Sequence, residues 1–274
     1  MWHMIAYAFP LPRHSCACDN GWVSKLSDAI RRAGRPTPAP LGFGFGPKTA
    51  VATPATLLCI VRLNANEAGK AEDAAKKGAD AIIIEGGDAG KVRDLAKKAP
   101  GLVLGVRPQK TERDQVAALR QAGADFVVLD AESGMADALL EENLGFVLLS
   151  HGDTDDTRLR ILADLNLDAL IPPPPDGSLT IERLLELRRV SALGRTPLFV
   201  EVSVDSEASP LQALRESGVA GLIVEGSAVG KLGKLRDAIA ALPARGKKRE
   251  ERSEATIPAA AMAGHDHDDD FDDD

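Results

Sequence analysis

Aromatic side chains are scarce in this chain: 4% of 274 residues, with two Trp, one Tyr and seven Phe. A core short of ring bulk must be filled by layered aliphatic side chains, and the overall composition is 44% hydrophobic. Cysteine is scarcer still, at Cys16, Cys18 and Cys59. Three thiols exclude a disulfide framework, and a reducing cytoplasm is the expected setting. The chain has no apolar run of about 18 residues, the least that a membrane-spanning helix needs. It also lacks a basic excess, with 33 Lys and Arg against 41 Asp and Glu. A general nucleic-acid footprint is thereby excluded. The net charge of −8 is concentrated at one end, because seven of the last nine residues are aspartates. Upstream, MWHMIAYAFPLPRHSCACDNG has a short apolar stretch with no basic residue before it, a poor secretory signal. It reads either as native sequence or as residues preceding a true start near Gly21.

The composition divides the chain into three parts. Residues 1–55 form an extension. In it WVSKLSDAIRRAG spaces Trp22, Leu26 and Ile30 by four, one apolar stripe on a short helix, and RPTPAPLGFGFGP follows as a Pro/Gly linker. Such a helix is expected to pack across the mouth or floor of its own domain. Residues 56–243 are regular. Residues 244–274 have the composition of a disordered charged tail, where His265 and His267 stand among aspartates without a fixed geometry for a metal.

Within 56–243, apolar runs of strand length recur: LLCIVRLN (57–64), AIIIEG (81–86), LVLGVRP (102–108), FVVLDAE (126–132), GFVLLSH (145–151), DALIPP (168–173), LFVEVSV (198–204) and GLIVEGS (221–227). Each is continuously apolar rather than alternating, the mark of parallel strands covered on both faces. Helical segments fill every gap, among them NEAGKAEDAAKKG, TERDQVAALRQAG and GMADALLEEN. Eight strands alternating with eight helices predict a (β/α)8 barrel. A repeat supports it. IVRLN at 60–64 aligns with GVRPQ at 105–109, and GADAIIIEG at 78–86 with GADFVVLDA at 123–131, both at an offset of 45. GVAGLIVEG at 218–226 and LDALIPPPP at 167–175 repeat the even-strand half.

Barrel chemistry resides where strands end at their C-termini. Arg62, Glu85, Arg107 and Asp130 stand there on the first four strands, Ser150 and His151 on the fifth, Glu201 on the seventh and Glu225 on the eighth. The repeat puts Glu85, Asp130 and Glu225 at one level and the two arginines at a neighbouring one. Such a cup would clamp an anionic substrate with Arg62 and Arg107, while Glu85, Asp130, His151 or Glu201 moves protons. The competing reading is a ring of structural ion pairs. Acidic groups in this cup are candidate ligands for a divalent metal, though only Asp130 and Glu132 are close in sequence. Lys91 and Lys231 occupy equivalent helix starts, and no strand carries an internal lysine for Schiff-base chemistry. Cys59 reads as a small core residue, and HSCAC at 14–18 lacks a second ligand pair for zinc.

The segment GVAGLIVEGSA, 218–228, resembles the "GADGVVVGSA" stretch of phosphate-binding (β/α)8 barrels. These include thiamine-phosphate synthase, the barrels of tryptophan biosynthesis, nitronate monooxygenases and inosine-monophosphate dehydrogenase. The resemblance implies that Gly226, Ser227 and Ala228 present backbone N–H groups to phosphate, with Lys231 nearby, and it makes flavin mononucleotide a candidate cofactor. Two departures stand out: Asp205 and Ser206 replace the usual Gly-Gly turn after strand 7, and Glu225 precedes Gly226. Two functions follow. One is an enzyme acting on a small anionic, perhaps phosphorylated metabolite. The other is a non-catalytic barrel binding partners through its extension and acidic tail. Oligomeric state is left open.

Overall fold

Short, β-rich apolar runs cannot bury both faces unless helices cover one side and other strands the other. In the computed structural model, which describes residues 23–34, 57–152, 154–174 and 177–243, eight parallel strands meet that need by closing on themselves in sequence order. They are β1 (Leu58–Asn64), β2 (Ala81–Glu85), β3 (Val103–Arg107), β4 (Phe126–Asp130), β5 (Gly145–Leu149), β6 (Ala169–Ile171), β7 (Leu198–Glu201) and β8 (Val219–Glu225). Around them run α2 (Ala71–Lys76), α3 (Ala89–Lys98), α4 (Arg113–Ala122), α5 (Asp156–Leu162), α6 (Ile181–Gly194), α7 (Ala208–Glu216) and α8 (Leu232–Ala240). The expected barrel is present. Among the described residues no helix is long and apolar enough to cross a membrane.

One expected helix is absent. GMADALLEEN forms only a 3₁₀ turn, Ala136–Leu140, between β4 and β5. Its apolar residues do not face the barrel: Met135 is 51% and Leu140 62% exposed, and Ala138 is the buried one. Without an apolar face to bury, a helix of this length is not stable.

Successive strand residues divide between two cores. Ile60, Ile83, Val128, Val147, Ile171 and Ile223 fill the barrel interior, while Val61, Ile82, Val106, Val127 and Leu222 pack outward under the helices. The interior accommodates its two rings by pairing each with glycine. A Cβ on Gly105 would run into the ring of Phe126, and one on Gly221 would come within 2.6 Å of Phe199. Ring against hydrogen fills the centre of the barrel as two medium side chains would.

The floor is closed by α1 (Lys25–Gly34), the helix of the extension. Leu26 and Ala29 are buried in the interior core, and Ile30 packs against it. Ser24 caps the helix by accepting from the Ser27 N–H at 2.9 Å, and both hydroxyls donate to the Asp168 carboxylate. Lys25 pairs with Asp125 at 2.8 Å. Two members of the expected stripe, Leu26 and Ile30, therefore serve the floor. Trp22 precedes the cap and lies outside the described residues, as do Cys16, Cys18 and the tail 244–274.

The Gly-Ala-Asp repeat has a double purpose. Gly78 and Gly123 end their helices at φ +91° and +105°, a conformation suited to glycine. The aspartates that follow reach back to the preceding strand: Asp80 accepts from the Cys59 N–H at 2.8 Å and Asp125 from the Leu104 N–H at 2.9 Å. Asp168 does the same for Phe146 at 3.1 Å. At the fourth equivalent position stands Ala220.

Candidate active site

The C-terminal ends of the strands carry the charged residues expected there, but their levels differ from the simple repeat reading. Arg62 is in register with Glu225, and Glu85 with Arg107, so acid and base share a level on adjacent strands. Asp130 instead pairs with Leu149 and sits one pleat above the Glu85–Arg107 level. All of these side chains point up from the interior face, above the apolar core.

They separate into two groups. On one side, Arg62 donates to both Glu201 and Glu225 in short contacts. Burial works against its charge, yet the hydrogen bonds to the two carboxylates prevail and raise its pKa further. Both ends of this guanidinium are occupied by carboxylates.

On the other side the contacts loosen. Arg107 lies 3.5 Å from Glu85 and 3.7 Å from Asp130, and its side chain is 35% exposed. Asp130 is the fixed member. Its Oδ1 accepts from the N–H groups of Glu132 at 2.9 Å and Ser133 at 3.2 Å, and its Oδ2 meets His151 Nε2 at 2.6 Å. Partial burial opposes its ionisation, but the bonds from His151 and the two backbone amides outweigh it and hold its pKa at about 2. Gly134 makes the turn possible: its N–H donates to the Asp130 carbonyl at 2.8 Å, and a Cβ there would lie 2.5 Å from that oxygen. The Asp-Glu-Ser-Gly sequence is a turn signal that identifies this device once the aspartate's position is known.

The turn after β8 is a 3₁₀ segment, Gly226–Lys231, leading into α8. A Cβ on Gly226 would lie 2.5 Å from Leu63, 3.0 Å from the Arg62 carbonyl and 3.3 Å from a Glu67 carboxylate oxygen. Close packing against β1 is reason enough for glycine here. Ser227 is exposed and Ala228 half-buried beside it. Lys231 and Lys234 are both drawn to Asp205, at 3.3 and 3.7 Å. A flavin mononucleotide phosphate would have to share this turn with the carboxylates of Glu225, Glu67 and Asp205. Like charges so close oppose a dianion, and these residues do not fit that cofactor. Among the described residues no three His, Cys, Asp or Glu side chains converge to hold a metal ion. Lys91 lies on α3, its backbone N–H capped by Asp88. Burial pushes the Cys59 thiol up to about 12, with Arg236 opposing and Asp80 adding, so it is inert core.

No family model matches the chain, and no curated protein matches it in sequence. Solved structures do match by shape. A mutant tryptophan synthase α-subunit of Pyrococcus furiosus superposes with a TM-score of 0.52 at 16% identity, covering 66% of this chain and 96% of that one. KGPDC of Streptococcus mutans gives 0.53 at 14% identity, over 67% and 97%. Tryptophan synthase of M. tuberculosis gives 0.51 at 14%, over 67% and 90%. At these identities the likeness is one of architecture, and at that level it agrees with the resemblance carried by residues 218–228. The chain is thus a (β/α)8 barrel, with the fold shared by the tryptophan synthase α-subunit and KGPDC.

Proposed function

We propose that this barrel is an enzyme of small-molecule metabolism. Its open half-mouth, Glu85, Arg107, Asp130 and His151, binds an anionic metabolite and transfers a proton. The observation that carries the reading is the contrast within the mouth: His151 and Asp130 are in firm contact at 2.6 Å, while the neighbouring Arg107 is held only at 3.5 and 3.7 Å. A guanidinium so loosely engaged is free to turn a bidentate face to an incoming carboxylate or phosphate. Asp130 bound to Nε2 fixes the neutral tautomer with its proton on that nitrogen. Nδ1 then carries the lone pair, ready to take a proton from the substrate. The imidazolium formed is stabilised by an aspartate that stays ionised down to about pH 2.

The phosphorylated subset of anions is favoured by shared fold, since KGPDC has been solved in complex with a sugar phosphate. The chain's own residues move the expected anchor from the turn after β8 to Arg107. The alternative, a scaffold acting through its extension, loses ground because the apolar face of α1 is occupied by the barrel floor.

The test is thermal stabilisation across a panel of inorganic phosphate, sugar phosphates, small carboxylates, flavin mononucleotide and divalent cations. A ligand at about 100 times its Kd stabilises by about 2.7 kcal/mol, which raises Tm by roughly 5–10 °C in a domain of this size. At least one small anion should do so, and Arg107→Ala should abolish the shift. A panel with no effect, or a shift that survives Arg107→Ala, overturns the reading.

A further inference from the structure

The barrel wall is thin between β4 and β5, where a 3₁₀ turn stands in place of an outer helix. Beside that gap, towards the floor, lies a cavity of about 530 Å³. Leu144, Phe146, Leu165 and Val23 supply its apolar wall. Three carboxylates also line it, Glu141, Asp164 and Asp168, against one guanidinium, Arg31. Nothing in the mouth chemistry uses this space, which lies at the opposite end of the strands. At its edge Leu165 is 39% exposed, and Leu140, in the turn above, 62%.

We propose that this cavity is the docking site of the chain's own first segment, residues 1–22, with Trp22 as the anchor. Three observations converge on that occupant. The chain reaches the cavity at Val23, which lines it, so residue 22 is delivered to the rim by covalent continuity. A tether of that length gives an effective concentration in the millimolar range or above, and even weak apolar contacts are then saturated.

Composition is the second. Both tryptophans and the single tyrosine of the chain fall in residues 1–22, as Trp2, Trp22 and Tyr7, with Ile5 and Phe9 between them. A barrel lacking one outer helix needs apolar cover, and this is the most aromatic stretch of the sequence. Charge is the third. Residues 1–18 contain Arg13 and no acidic residue, which complements the carboxylate surplus of the lining.

The tryptophan distribution provides a direct readout. In full-length protein carrying Trp2→Phe, Trp22 is the sole indole. Its emission should be blue-shifted in the folded chain and move to the solvent position in urea. Leu165→Asp with Leu139→Asp, both at the cavity and neither in the interior core, should shift it to the red without unfolding the barrel by circular dichroism. Deleting residues 1–22 should lower Tm by about 4–8 °C and create binding of an apolar dye. Solvent-like emission in the folded protein overturns the proposal. So does a blue shift that the cavity variants leave in place. A blue shift that grows with protein concentration assigns the cavity to a second copy and overturns it equally.

Discussion

The two sides of the mouth use the same residue types to opposite ends. Around Arg62, two carboxylates grip one guanidinium in short contacts. Around Arg107, two carboxylates stand off at 3.5 and 3.7 Å, and one of them is engaged instead by a histidine and two backbone amides. Repeat-related arginines thus occupy equivalent places with different freedom. The difference comes from the neighbours: β7 and β8 both direct a glutamate at Arg62, whereas the turn after β4 captures its aspartate before Arg107 can. A charged rim is structural where every partner is engaged and available for chemistry where one is diverted.

Breaking the comparison from the open side should give the largest effect. His151→Gln keeps a polar side chain but cannot take a proton, and kcat should fall by about 10²–10⁴-fold on whichever ligand the panel identifies. Tm should hardly move, because His151 is 43% exposed. Unchanged turnover would remove the distinction between the two sides.

Arg62→Ala tests the closed side through stability. It leaves Glu201 and Glu225 facing each other unpaired, at a cost of about 2–3 kcal/mol, less than for a fully buried pair because water reaches Glu225. Tm should fall by about 5–10 °C. Arg107→Ala, with its distant partners, should cost under about 1 kcal/mol by the same measurement. Equal losses would show that both arginines are structural.

The paired turns sharpen the comparison further. Gly226→Ala forces a Cβ against Leu63 and the Arg62 carbonyl, and should destabilise by about 1–3 kcal/mol in urea unfolding. Its repeat partner Gly86, at φ +66° and with a Gln109 amide at 3.4 Å as its nearest neighbour, should lose about 1 kcal/mol as alanine from backbone strain alone.

The smallest effect concerns pH. Asp130 has a folded pKa of about 2, below the ordinary value of 3.8. Its ionised form therefore favours the folded state above about pH 4, and that contribution fades as pH falls towards 2. Acid unfolding of Asp130→Asn should lack this component. If the two proteins differ equally at pH 2 and pH 6, the aspartate is not held as described.

Much of the architecture was legible because burial on two faces leaves a distinctive trace, the continuous apolar run. The helix expected from GMADALLEEN was not, since spacing does not reveal whether an apolar residue has a wall to meet. Leu140 has none, and the adjacent Glu141 is held by Arg113 and Arg120 of α4. The charged positions of the mouth were legible from strand ends and from the 45-residue offset. Their partnerships were not, because they depend on barrel stagger: one pleat decides that Asp130 meets His151 while Glu225 meets Arg62. The short 3₁₀ turn after β8 looked like an anion cradle because glycine answers both demands, close packing and open amides, and sequence cannot separate them.

The aspartates of the Gly-Ala-Asp repeat have a consequence for how such a barrel comes to exist. Asp80, Asp125 and Asp168 each fasten to an amide 21 or 22 residues earlier, inside their own strand pair. Every fastener is therefore complete before the next pair is synthesised, which lowers the loop-closure entropy that parallel strands otherwise carry into folding. A unit that brings its own clasp can be duplicated without redesigning its junctions. The last pair, with Ala220 where the clasp would be, has no such need: β8 already has β1 to close upon.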